Sequence, residues 1–193
     1  MMENEDAILE RSIGERIKTL RSRNALTLDQ LASASGVSRA MISRIERGEA
    51  SPTASLLARI CSALGLSLSG FFAQDEDVVS PLVRRDQQQL WKDPDTGYVR
   101  RAISPPRVGS DVDIVEVEFP AVARVSFPPH AASSGMTQYV WLFEGALEMT
   151  TGGETHRLAP GDCLFMPVGE GHTFYNPSDR PARYAVVLDR RSR

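Results

Sequence analysis

Between residues 38 and 47 the chain reads Ser-Arg-Ala-Met-Ile-Ser-Arg-Ile-Glu-Arg. On a helix, Ile42 and Ile45 turn inward, while Arg39, Ala40, Ser43 and Arg44 project outward. That outward set suits the reading of DNA. An arginine can bond guanine O6 and N7 together, and an alanine is small enough to meet a thymine methyl. Thr27 and Ser38 stand where helices begin, so their hydroxyls and the free N–H groups beside them suit phosphate oxygens. Far downstream, GDCLFMPVGEGHTFYN (161–176) spaces Gly161, Pro167, Gly169, His172 and Asn176 along a strand, a turn and a strand, with His172 on one face. An imidazole there can hydrogen-bond a ligand or hold a metal. Cys61 and Cys163 have no C-x-x-C partner, and both are expected to be buried, reduced thiols.

Elements that would position these residues are punctuated clearly. Apolar spacing is helical up to about residue 72 (Ile13, Ile17, Leu20; Leu28, Leu31; Ile42, Ile45; Leu56, Leu57, Ile60, Leu64). Thr27 opens a T-x-x-Q capping box with Gln30, Ser38 is placed to cap the next helix, and Ser51 or Thr53 can start another. Stops stand at Gly36, Gly48 and Gly65. Five short helices are expected, with a helix-turn-helix around Gly36-Val37. In that geometry the second helix of the pair enters the major groove. From Tyr98 the pattern becomes β: segments 111–119, 122–127, 138–145, 146–151, 154–159, 162–167, 172–176 and 182–189 alternate or are β-branched and are separated by Gly and Pro. Gly152-Gly153 reads as a two-residue hairpin turn. Eight or nine strands without helices point to a closed barrel or jelly roll.

The chain has 193 residues, the size of one large domain or two small ones, with 41% apolar and 24% charged residues. The net charge of −3 excludes a uniformly basic coat. Its distribution says more. Residues 11–59 hold nine Arg or Lys against four acids, a net +5, and from residue 73 onward 13 bases face 17 acids, a net −4. Only the first block is expected to meet a polyanion. No apolar run approaches the roughly 20 residues of a membrane helix, and the acidic start is not a signal peptide, so a cytoplasmic protein with no membrane partner is expected.

The stretch IGERIKTLRSRNALTLDQLASASGVSRAMISRIERGEASPT, followed by LLARICSALGLSLSGFF, resembles the XRE-type, lambda-repressor-like helix-turn-helix family over about residues 11–72. The resemblance implies base-facing roles for Arg39, Ala40 and Arg44, with Ser43 beside them. It also implies a buried ion pair between Arg21 and Glu46, joining helices one and three. A helical bundle that packs on another protein is the alternative.

The spacing of Gly161, Pro167, Gly169, His172 and Asn176 resembles the second motif of the cupin superfamily, over about residues 110–190. Cupins are small β-barrels whose function lies in the barrel mouth. In the first motif, which here reads HAASSGMTQYVWLFEG, Gln138 takes the glutamate position. The two histidine positions fall on small residues among Ala131, Ala132, Ser133 and Ser134; His130 is near but out of register. A transition metal wants about three or four protein ligands, so a metal-free, cofactor-free pocket at Gln138, His172 and His130 is expected. A metal held by His130 and His172 with water stays open.

The expected architecture is therefore two-domain, α plus all-β: an acidic extension (1–10), a five-helix domain (11–72), a linker (73–97) and a cupin jelly-roll barrel (98–193). Within that linker, Val78, Val79, Leu82 and Val83 warn that part of it packs or pairs as a strand. The expected function is a DNA-binding transcriptional regulator, not an enzyme. It would bind a double-stranded operator as a homodimer and sense a small-molecule effector in the barrel. The alternatives are a metal-dependent cupin enzyme with a DNA-binding appendage, or a barrel that only dimerises.

Overall fold

Hydroxyl side chains set where the helices begin. The computed structural model describes residues 2–66, 68–72, 80–106, 108–129 and 135–190, and its helices are α1 (Met2–Arg23), α2 (Leu28–Ser35), α3 (Arg39–Glu46), α4 (Ala54–Ala63) and α5 (Leu68–Phe72). Thr27 Oγ1 accepts from Gln30 N at 3.2 Å while Gln30 Oε1 accepts from Thr27 N at 2.8 Å, a closed capping box. Ser38 and Thr53 cap α3 and α4 in the same way, accepting from Met41 N and Leu56 N. Each such cap contributes about 1 kcal/mol. The stretch read as an acidic extension forms the first turns of α1.

Two glycines decide how these helices meet. The chain reverses between α2 and α3 at Gly36, whose φ is +64°, and a Cβ there would stand 2.7 Å from Arg59 Nη2. Gly14 brings α1 against α3 so closely that a Cβ would overlap the Ile45 carbonyl. Around this crossing, Ile13, Ile17, Leu31, Ile42, Ile45, Leu57 and Ile60 form the dry centre of the helical domain.

Ten strands follow: β1 (Leu90–Lys92), β2 (Val99–Ala102), β3 (Val112–Phe119), β4 (Arg124–Phe127), β5 (Thr137–Glu144), β6 (Leu147–Thr151), β7 (Glu154–Leu158), β8 (Cys163–Pro167), β9 (His172–Tyr175) and β10 (Ala182–Asp189). They pair antiparallel in two sheets, β1-β2-β3-β10-β5-β8 and β4-β9-β6-β7, the two layers of a cupin jelly roll. Alternation along each strand sends Val115, Val117, Phe119, Val140, Leu142 and Tyr184 of the large sheet toward Val125, Leu147, Met149 and Phe174 of the small one.

The segment read as a linker departs from that expectation. Residues 73–79, with Val78 and Val79, lie outside the described residues, but Leu90–Lys92 is a barrel strand, Trp91 standing opposite Arg100 of β2. Asp-Pro-Asp-Thr-Gly (93–97) closes the hairpin, with Gly97 N donating to Asp93 O at 2.8 Å. Trp91 is 2% exposed. It lies in a run of rings from the helical domain into the barrel: Phe71, Phe72, Trp91, Tyr98, Phe119 and Tyr184, successive centroids 5.3 to 6.1 Å apart. Buried Asp93 adds a polar tie. Its Oδ1 accepts from Ala54 N at 2.6 Å, putting a carboxylate on the α4 N-terminus, and its Oδ2 accepts from Thr96 N and Oγ1. The two domains share one core.

Candidate functional site

Ile42 and Ile45 anchor α3 and leave its other side bare. Ser38, Arg39, Ala40 and Arg44 are exposed and Ser43 half-exposed, so the residues expected to read DNA share one open face, with Thr27 exposed at the start of α2. Arg39 Nε lies 3.2 Å from Asp29 Oδ1 with both side chains largely in water, a pair worth at most about 1 kcal/mol and readily exchanged for another acceptor. Among the described residues, Arg44 Nη2 makes only a long bond, 3.4 Å, to Glu49 O. Arg47, absent from the expected set, donates to the Ser43 hydroxyl and makes a two-pronged pair with Glu49 at 2.6 and 2.7 Å. Behind this face, Arg21 Nε and Nη2 bond the two Glu46 carboxylate oxygens at 2.7 and 2.9 Å, and Arg21 Nη1 donates to Leu26 O. That hydrogen-bonded carboxylate raises the Arg21 pKa above its ordinary value. The pair pins α1 to α3 and to the chain entering α2.

A second feature is a cavity of about 350 Å³ inside the barrel mouth. Its far wall belongs to the sheets. Its near wall is helical: Ser35 of α2 and Ala58, Arg59 and Ser62 of α4 line the same space as Gln138 and His172. His172 sits between the Phe127 and Phe174 rings, with centroids at 5.2 and 5.4 Å. Burial there pushes its pKa down to about 4, so the imidazole is neutral at pH 7. Gln138, on β5, is 5% exposed. Its Nε2 lies 3.5 Å from Met166 Sδ and 3.5 Å from His172 Nε2. His172 Nδ1 is buried and has no partner among the described residues. His130 lies outside the described residues. Asn176, the last fixed point of the motif, stays out of the cavity: it is wholly buried and bonds Pro120 O, Arg180 O and Ser178 N, holding the turn after β9.

Known proteins match both halves. The helix-turn-helix domain family matches residues 12–69 and the cupin domain family matches residues 117–188. The HTH-type transcriptional regulator SutR of Escherichia coli (strain K12) is 27% identical over 180 residues, 93% of this chain and 96% of that protein. PuuR of the same organism, also named an HTH-type transcriptional regulator, is 26% identical over 86% of this chain and 88% of its own. The crystal structure of an HTH_3 family transcriptional regulator from Vibrio cholerae superposes with a TM-score of 0.78 at 27% identity, covering 95% of this chain and 98% of that one. The chain joins a helix-turn-helix domain to a cupin domain, the make-up of a transcriptional regulator.

Among the described residues of the barrel, the donors of a metal-binding cupin do not come together. A neutral amide and one imidazole face the cavity, and among the described residues no three His, Cys, Asp or Glu side chains converge. Residues 131–134, where two histidines would be needed, are Ala, Ala, Ser and Ser. This set does not fit a transition metal.

The cysteines divide. Cys61 is buried, with its thiol pKa raised by desolvation, whereas Cys163 is exposed, against expectation, because its β8 position points outward. Two cavity residues escaped the sequence analysis, Arg59 and Arg100. Arg59 stands among Leu56, Leu57 and Ile60; a charge at the margin of an apolar helical stripe was the signal available.

Proposed function

We propose that the regulator binds operator DNA as a homodimer through α3 and responds to a small molecule held in the barrel cavity. The observation that carries this reading is the shared wall: α2, the first helix of the helix-turn-helix, and α4, which packs against it, also line the cavity that holds Gln138 and His172. An occupant touches the DNA-binding domain directly. It can shift DNA affinity by as much as its own affinity differs between the two placements of that domain, and the coupling is reciprocal.

Sensing is favoured over catalysis because the described lining supplies one neutral imidazole and no carboxylate, thiol or second imidazole to work with it. Dimerisation is supported by the outer face of the large sheet. Ile114, Val187, Tyr139 and Phe165 stand in register across β3, β10, β5 and β8, with Trp141 beside them. Tyr139, Trp141 and Phe165 are each about half exposed, at 47%, 49% and 54%. An apolar row of this kind marks an interaction surface, and a helix-turn-helix reading a palindrome needs a second copy of itself. The cytoplasm, with the DNA, is the expected place of action.

Selection from a pool of randomised duplexes tests the reading. The full-length protein should enrich a palindrome whose half-sites lie about one helical turn, 34 Å, apart or a multiple of it. Recovery of unrelated sequences without enrichment would sink the proposal.

A further inference from the structure

Between α2 and α3 the chain turns within Gly36, Val37 and Ser38, and side chains hold that turn. Val37 is buried in the helical core; its N–H donates to Ser35 Oγ at 3.3 Å, and that hydroxyl donates in turn to Leu31 O at 2.7 Å. Ser38 caps α3. What these bonds leave over is the carbonyl end of α2. A helix ends in carbonyls that no following N–H of the same helix can reach. Among the described residues no backbone N–H bonds Ser35 O or Gly36 O.

Arg59 takes both. Its Nε donates to Ser35 O at 3.0 Å and its Nη2 donates to Gly36 O. Gly36 has no side chain to keep the guanidinium out; a Cβ there would stand 2.7 Å from Nη2. A cation on the last carbonyls of a helix also suits the negative end of its dipole. Arg59 stands on α4 between Leu57 and Ile60, both wholly buried in the core, so its backbone has a firm seat. Ser35 and Ser38 belong to the helix pair itself, whereas Arg59 ties the turn to a third helix.

We infer that Arg59 is a positioning residue for DNA recognition: holding the Ser35 and Gly36 carbonyls from α4, it sets the angle at which α3 leaves α2, and it touches no DNA itself. This rests on the reading of α3 as the helix that enters the major groove. Base readout tolerates little error, since a reading side chain must be held within about 0.5 Å of its productive place. Attraction to phosphates carries no sequence information and is less demanding. A loosened turn therefore costs specific binding and spares non-specific binding. The fork matters as well as the charge. A planar guanidinium spans two neighbouring carbonyls, whereas an ammonium is a single point of charge.

The test uses the full-length protein, its selected operator and a scrambled duplex of the same length. Gel-shift titrations over a series of salt concentrations give both affinities and the salt slope. Thermal unfolding shows which variants are folded at the assay temperature. Arg59→Gln should bind the operator roughly tenfold more weakly and the scrambled duplex within about twofold of wild type, with the salt slope unchanged. Arg59→Lys should fall between Arg59→Gln and wild type, and its ratio of the two affinities decides the question should Arg59→Gln fail to fold. A residue that only stabilises the fold would lower the unfolding temperature and leave that ratio alone; this result would overturn the inference. A slope reduced by about 0.9, with both duplexes weakened alike, would make Arg59 a phosphate contact and overturn it too. Arg39→Ala is the control on α3. If it left operator affinity untouched, the reading of α3 would fall, and the inference with it, whatever Arg59→Gln did.

Discussion

Under the proposed function, single side chains carry the recognition chemistry, and they can be separated by what they are expected to touch. Arg39 and Arg44 lie on the open face of α3 and are held only by weak or long contacts. Arg39→Ala and Arg44→Ala should each cost about 1–3 kcal/mol of operator binding and relax the preference at one base pair. Thr27→Ala should weaken all duplexes alike. Gel-shift titration against the selected operator and single-base variants distinguishes the two patterns, and undiminished affinity in both arginine variants would move recognition elsewhere. His172 makes a prediction in pH. Its folded pKa of about 4 lies below the ordinary histidine value of 6.5. The unfolded chain therefore takes up a proton below pH 6.5 that the folded protein refuses until about pH 4. Stability is complete above that window and is lost as pH falls through it, by about 2 kcal/mol between pH 7.5 and 5. Urea unfolding at both pH values should show this loss in the wild type and not in His172→Phe; equal slopes would mean that His172 is hydrated.

Among the elements, the α1–α3 crossing sets one principle against another. Gly14 lies inside a helix, where alanine is ordinarily favoured by about 1 kcal/mol. Its Cβ would overlap the Ile45 backbone carbonyl, which cannot rotate away as a side-chain end can. Gly14→Ala should therefore destabilise the protein, by about 1–3 kcal/mol as helices spread, and stretch the Arg21–Glu46 pair that spans the same crossing. A rise in thermal stability would show that the crossing relaxes freely. The helices themselves were legible because their signals are local: a hydroxyl at each start, a Gly at each stop, apolar residues three and four apart. Strand β1 was not legible. Three residues carry too little alternation to register, and what places Trp91 is the aromatic run from Phe72 to Tyr98, which joins residues far apart in sequence.

At the scale of the whole molecule, the helical domain and the barrel meet where Asp93 accepts from the first N–H of α4 and the ring run crosses between them. Under the proposed function, assembly rests on the outer face of the large sheet. Trp141→Glu places a charge in the middle of the apolar row formed with Tyr139 and Phe165, at a residue already half exposed, so folding should survive. Light scattering at micromolar concentration should read a dimer for the wild type and a monomer for the variant, with operator binding weakened in parallel. An unchanged mass would place the dimer contact on another surface.

What the sequence determined by itself was everything set by near neighbours: the helix starts at Thr27 and Ser38, the outward side of α3 and the alternating strands. Periodicity also placed Gln138 and Trp141 on opposite sides of β5, though not which side was dry. The tertiary structure alone decided that Trp141 faces outward, that Trp91 and Asp93 belong to the domain junction, and that Arg59, from a helix in one domain, lines a cavity in the other. The physical reason is the range of the interactions. Caps, turns and alternation act within about four residues, whereas a cavity wall is made by packing elements whose separation along the chain carries no trace of their closeness in space.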